Sequence, residues 1–304
     1  MKKHITSIFF LCLLSVSQLI AQSHSIKRLG IEQGLSNNYV ISIAQDKQGF
    51  LWFATEEGLN KFDGTRFITY YKNDLSQSSQ GITGNELNRV YADNKRPIIW
   101  IATQRDGLNA YNGRSFKTYS YNKKDAGSIS NNVIWQIIEQ SDSILWVSTD
   151  YGVNRWKRST QQFTPYYLGT QNNPPKQEKS FLLDITSGKH IICYVKEQGL
   201  FCFDDRKQEF VSLKNDLPDD IRNFVIDSKD RIFFLTGHGQ LLHYQLTVRN
   251  SCPELSFKEE IRHCAPVSNI YLSQDCLIIN DDRTLTVSQD NRILDSINIP
   301  ENKT

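Results

Sequence analysis

A chain of 304 residues with 39% hydrophobic and 22% charged residues has the composition of a soluble globular protein with one large domain or two modest ones. Its 35 basic and 33 acidic residues are scattered, for a formal charge of +2, which excludes the concentrated basic patch that a nucleic-acid or anionic-membrane surface needs. One methionine against 16 Phe, 13 Tyr and 5 Trp favours β structure, where aromatic side chains pack on pleated surfaces.

Residues 1–22 stand apart. Lys2 and Lys3 precede an apolar run from Ile8 to Val16, and Leu19-Ile20-Ala21 leads into the polar Gln22. A short basic start, a short apolar middle and a small residue before a polar one describe a secretory signal peptide cleaved near Ala21. The run is shorter than the ~20 residues that a spanning helix needs. The expectation is an exported, periplasmic domain over residues 23–304.

Beyond this segment the chain repeats itself at an interval of about 46 residues. The first copy reads Leu35-Ser-Asn-Asn-Tyr-Val-Ile-Ser-Ile-Ala-Gln-Asp46, then Gly49-Phe-Leu-Trp-Phe-Ala-Thr55, Gly58-Leu-Asn-Lys-Phe-Asp63 and Phe67-Ile-Thr-Tyr70. The second keeps Ile99-Trp-Ile-Ala-Thr103, Gly107-Leu-Asn-Ala-Tyr111 and Phe116-Lys-Thr-Tyr119, and the third keeps Leu145-Trp-Val-Ser-Thr149, Gly152-Val-Asn-Arg-Trp156 and Phe163-Thr-Pro-Tyr166. Fainter copies centre on Ile191–Val195, Ile232–Thr236 and Leu277–Asn280. Each copy holds short apolar runs rich in Val, Ile, Phe, Tyr and Trp between polar turns, which are strands rather than helices. Neither the second nor the third run alternates cleanly, so both faces are covered.

Four-stranded antiparallel sheets at this spacing, each sandwiched between neighbours, describe an all-β fold, the β-propeller. Six blades are visible, at about 34–71, 81–119, 128–167, 179–213, 219–247 and 263–299. Ser25–Leu29 reads as a lone strand ahead of the first, so the count implies an incomplete seven-bladed propeller. Trp52, Trp100 and Trp146 read as blade-to-blade packing. Asp46, Asp93 and Asp227 read as turn caps.

Gly34-Leu-Ser-Asn-Asn38, Gly49-Phe-Leu-Trp-Phe-Ala-Thr55 and Gly58-Leu-Asn-Lys-Phe-Asp-Gly64 closely resemble the two-component regulator propeller repeat. The resemblance is specific over residues 26–167 and thinner, though in register, to about residue 299. It implies the N-terminal periplasmic sensor region of a Bacteroides-type hybrid two-component system, signalling to a membrane-bound histidine kinase in a homodimer. By the same resemblance the ligand is a glycan fragment and this region is not an enzyme. The other readings are a secreted propeller glycosidase or lyase and a non-catalytic interaction scaffold. A glycosidase needs paired carboxylates ~5–9.5 Å apart, and every Asp and Glu here fits a turn. No metal, cofactor or nucleic-acid motif occurs.

Ligand residues are expected in loops on one face, since rigid strands position the connections that carry function. The turns between second and third strands should share a face with the segments leading into first strands. This gathers Glu56, Glu57, Gln104, Arg105, Asp106, Asp150 and Tyr151 beside Asn37, Asn38, Asn131 and Asn132, groups suited to an oligosaccharide; plain solvated turns are the other reading. In the fourth copy, a turn at Lys196-Glu-Gln-Gly199 would set Cys193 opposite Cys202 at a non-hydrogen-bonded pair. Export makes a bridge feasible; two reduced packing thiols are the alternative. On this register Cys193 also takes the slot of the repeated tryptophan.

Overall fold

The computed structural model describes residues 27–72, 81–168, 181–213, 217–249, 252–265, 269–273, 275–281, 284–290 and 292–298. The expected signal peptide lies outside them. The described strands form six four-stranded antiparallel sheets, each with its strands in chain order, arranged as the blades of a six-bladed β-propeller. Blade one holds β1 (Val40–Gln45), β2 (Leu51–Thr55), β3 (Gly58–Phe62) and β4 (Phe67–Tyr70), and blade two holds β5 (Leu87–Ala92), β6 (Ile99–Thr103), β7 (Leu108–Tyr111) and β8 (Phe116–Tyr119). Blade three holds β9 (Ile134–Ser141), β10 (Ile144–Thr149), β11 (Gly152–Lys157) and β12 (Gln162–Tyr166), and blade four holds β13 (Phe181–Ile185), β14 (Ile191–Val195), β15 (Gly199–Asp204) and β16 (Glu209–Leu213). Blade five holds β17 (Ile221–Ile226), β18 (Arg231–Thr236), β19 (Gln240–Arg249) and β20 (Cys252–His263), and blade six holds β21 (Asn269–Ser273), β22 (Cys276–Asp281), β23 (Thr284–Gln289) and β24 (Arg292–Asn298).

The repeated residues build the contacts between blades. Trp52 and Leu59 of blade one pack on Val90, Ile101 and Phe116 of blade two. Trp100 and Leu108 pack on Ile137, Val147 and Phe163 in the same way, and Trp146 and Val153 on Leu183, Cys193 and Phe203. Ile192 and Leu200 then meet Phe224 and Phe234, and Phe233 and Leu241 meet Ile270 and Ile279. The second strands of blades two to five therefore bury alternate residues against opposite neighbours, which is why they read as continuous apolar runs. The expected role of the three tryptophans is borne out.

Turn chemistry fixes the sheets. Asp46 Oδ1 accepts the amides of Gln48 (2.9 Å) and Phe50 (3.1 Å), and Asp93 Oδ1 accepts those of Lys95 and Arg96, both at 2.9 Å. These aspartates cap turns as the sequence predicts. Gly107 has φ +89°, and a Cβ there would lie 2.5 Å from the Tyr119 carbonyl oxygen, so only glycine fits that turn. The predicted two-residue hairpins are present, with Thr55 paired to Gly58 and Thr149 paired to Gly152.

Three expectations are corrected. Lys27–Leu29 form no strand. Blade five does not end near residue 247, because its fourth strand runs to His263. Cys193 and Cys202 are not opposite each other. The blade-four turn holds three residues between Val195 and Gly199, one more than the matching turn in blade one, so Cys193 pairs with Phe201 and Cys202 with Ile192. A one-residue slip moves a side chain to the other face of a sheet. Cys193 accordingly faces blade three, Cys202 faces blade five, and both are free thiols. Ile192, not Cys193, fills the tryptophan slot, since it pairs with Asp184 as Trp52 pairs with Ala44.

One seam differs from the others. Val90, Ile137, Leu183, Phe224 and Ile270 stand at matching places on the inner strands, and each is buried against the preceding blade. Ile43 holds this place in blade one and is 57% exposed. Among the described residues no hydrophobic cluster joins blade six to blade one, and the blade-one cluster on this side holds only its own residues with Leu29 and Leu35.

Candidate functional site

The shared face predicted from the repeat is present. The Glu56 amide donates to the Tyr39 carbonyl (3.4 Å) and the Gln104 amide to the Glu86 carbonyl (2.9 Å), which ties each second turn to the segment leading into its own blade. Gly58 donates to the Asn85 carbonyl (2.8 Å) and Gly107 to the Asn132 carbonyl (3.0 Å), which carries the surface from one blade to the next. The predicted residues thus occupy one rim of blades one to three.

Their side chains divide into two groups. Asn37 Oδ1 accepts the Tyr39 amide (2.6 Å), Asn38 Oδ1 the Ile31 amide (3.0 Å), Asn131 Oδ1 the Val133 amide (2.7 Å) and Asn132 Oδ1 the Tyr121 amide (2.7 Å). These amides cap their own loops, a local use of Asn that competes with ligand binding. Asp106 lies 3.9 Å from Lys72 Nζ and approaches the backbone so closely that a Cβ on Gly84 would fall 2.2 Å from its Oδ2. Asp150 is buried and accepts the indole N–H of Trp135 at 2.6 Å. Glu56, Glu57 and Arg105 stay exposed, while Gln104 and Tyr151 are half-buried.

The structure adds residues that the repeat did not single out. The first strand carries a β-bulge in blades one, two, three and five, at Ile41, Asn88, Trp135 and Arg222. A bulge re-aims the side chain it carries. Trp135 is 39% exposed, oriented through its bond to Asp150. Tyr39, Tyr71 and Tyr121 are further exposed aromatics on loops of this rim. The sequence signal for Trp135 is its departure from the smaller residues at two of the matching positions.

Charge gathers where inner strands of different blades face one another. Arg89 of blade two interacts with Asp184 of blade four and Tyr271 of blade six. Its side chain is exposed, and desolvation by the surrounding protein lowers the guanidinium from its usual value. Asp184 is pushed up to about 6 by burial, against the Ile185 amide (2.8 Å), the Ile226 amide (2.7 Å) and the Arg89 charge, which all favour the carboxylate.

Because the folded protein holds this proton more tightly than the unfolded chain, the stability linked to it is full below pH 4 and disappears as pH rises through about 6. The urea midpoint is expected to fall between pH 4.5 and 6.5 by an amount equivalent to about 3 kcal/mol at most. Asp63, Asp204, Asp275 and Asp290 are lowered by hydrogen bonds and neighbouring cations, so their losses belong to more acidic solutions. Asp184→Asn should flatten the window, and Arg89→Gln should move it to higher pH. A midpoint indifferent to pH across that range contradicts the assignment.

These features define a propeller built from one sequence unit, with a polar and aromatic rim around a charged axis. The sequence profile described as two component regulator propeller matches residues 34–57. The chain is 38% identical to the extracellular domain assigned to a hybrid two component system, BT3049 of B. thetaiotaomicron, with a TM-score of 0.71 over 91% of this chain and 37% of that one. The extracellular domain assigned to a one component system, BT4673 of the same organism, superposes with a TM-score of 0.64 at 16% identity over 92% of this chain and 39% of its own, a likeness of fold alone. A 46-residue stretch, 15% of this chain, is 52% identical to Histidine kinase P4 of Formosa agariphila, of which it spans 3%. Residues 34–57 thus carry the two component regulator propeller repeat. Among the described residues no helix is long and apolar enough to cross a membrane.

Proposed function

We propose that this chain is the ligand-sensing part of an exported two-component regulator, facing the periplasm and binding a glycan fragment without turning it over. The supporting observation is the 38% identity, sustained over 91% of the chain, to an extracellular domain assigned to a hybrid two component system. In that setting a membrane-bound histidine kinase reads the difference in ligand affinity between two arrangements of the sensor. The assembled protein is a homodimer.

The ligand surface is the rim of blades one to three and the axis beside it. Trp135 offers a ring face, Arg89 a charge, and Glu56, Glu57, Arg105, Gln104 and Tyr151 offer hydrogen bonds. A panel of oligosaccharides tests this directly. Thermal stabilisation without product supports sensing, turnover makes the protein an enzyme, and neither makes it a scaffold. For a glycan that binds, Arg89→Ala and Trp135→Ala should each weaken affinity by about tenfold or more, as expected for a lost charged hydrogen bond or a lost aromatic face. Unchanged affinity in these two, and in Arg105→Ala and Tyr151→Ala, would remove the site.

A further inference from the structure

The turns on the opposite rim, between first and second and between third and fourth strands, differ from seam to seam. Between blades two and three, Arg158 fills the space, donating to Asp93 Oδ2 at 2.6 Å and covering the Trp156 ring at 5.2 Å. Between three and four, Arg155 lies 5.7 Å from the rings of both Trp146 and Phe203 and 3.8 Å from Asp205. Between five and six, Arg231 bonds Asp227 (2.5 Å) and Asp290 (2.9 Å). Each arginine lies over aromatic rings and is neutralised by a carboxylate.

Between blades one and two no arginine fills the space. In this seam Lys61, which pairs with Trp52 as Arg155 pairs with Trp146, takes the Arg155 place 5.5 Å from the Trp52 ring, and Gly113, three residues after Ala110, matches Arg158, three residues after Arg155. The result is a groove of about 550 Å³ floored by Trp52, Ile99 and Tyr111. Lys47, Lys61, Lys95 and Arg114 line it against a single carboxylate, Asp46. Asp46 is already engaged by the Gln48 and Phe50 amides and, at 2.8 Å, by the indole N–H of Trp52. Lys95 has Asp142 at 3.5 Å, whereas among the described residues Lys47, Lys61 and Arg114 have no carboxylate partner.

We propose that this groove binds a ring-sized organic anion carrying two or more carboxylate or sulfate groups. The apolar floor takes the ring, and the ligand's anionic groups give the unpaired cations the counter-charge that Asp93, Asp205 and Asp290 give the arginines of other seams. The volume suits one or two rings. The site lies on the rim opposite the proposed sensing surface and does not depend on that reading.

The test is a titration of the full chain with benzene-1,3,5-tricarboxylate, following the Trp52 indole N–H signal by NMR, with 1,3,5-benzenetrimethanol and inorganic sulfate as controls. Saturable binding is expected that moves this signal, weakens as salt is raised, and exceeds both controls by about tenfold or more. The double variant Lys47→Gln, Arg114→Gln, whose exposed side chains leave the fold intact, should lose about tenfold or more in affinity at an unchanged urea midpoint. Absence of binding at millimolar ligand, equal binding of either control, or unchanged affinity in the double variant each overturns the proposal.

Discussion

Trp146→Ala is expected to lower the unfolding free energy by about 3–5 kcal/mol, the range for emptying a large aromatic site in a packed core. The ring is fully buried between two blades, with centroids 5.5 Å from Tyr166 in its own blade and 4.6 Å and 5.7 Å from Phe203 and Phe210 in the next. Its indole N–H donates to Gln140 Oε1 at 2.8 Å. Rigid strands on both sides limit collapse into the cavity, which places the cost toward the upper end. Urea unfolding with an unchanged slope measures it. A sharper comparison uses phenylalanine. Trp100 is equally enclosed, but its indole nitrogen finds no acceptor among the described residues. Trp100→Phe therefore removes an unsatisfied donor, whereas Trp146→Phe breaks a bond and strands Gln140. The second should cost about 1 kcal/mol more than the first. Equal costs, or a loss below about 1 kcal/mol in Trp146→Ala, would mean that blade-to-blade packing does not carry the fold.

The fold was legible because every seam poses the same packing problem and the chain answers it with nearly the same residues. Trp52, Trp100 and Trp146 recur in sequence because each meets the next blade in space. What misled was local. The blade-four turn carries one extra residue before Gly199, and that alone moves Cys202 across the sheet from Cys193. The last strand of blade five was missed because Lys258, Glu259 and Glu260 give it the charged look of an exposed edge, where no alternating apolar pattern is required. The candidate site was half legible. Its rim follows from topology, but an asparagine that caps its own loop and one that waits for a ligand look alike in a sequence. Arg89, Asp184 and Tyr271 sit on three blades far apart in the chain, and nothing in the repeat says that their charges act on one another.

The same comparison of copies predicts an asymmetry in a buried ion pair. Removing one member of such a pair typically costs about 3–5 kcal/mol, and Asp93→Ala should fall in that range. The substitution deprives the Lys95 and Arg96 amides of their acceptor and leaves Arg158 facing an empty, fully enclosed carboxylate site. Arg158→Ala should cost less. In blade one the aspartate at this turn, Asp46, gives its outer oxygen to the Trp52 indole N–H, whereas in blade two Arg158 holds the equivalent oxygen and the Trp100 indole goes without. Once Arg158 is gone, Asp93 can accept from Trp100 as Asp46 does from Trp52. The seam then resembles the open groove between blades one and two, a state the fold already tolerates. Two measurements follow: the urea midpoints of the two variants, and the Trp100 indole proton, which should move downfield only in Arg158→Ala. A midpoint loss in Arg158→Ala as large as in Asp93→Ala, with an unmoved indole signal, would show that the aspartate has no second partner and that the copies are not interchangeable at this turn.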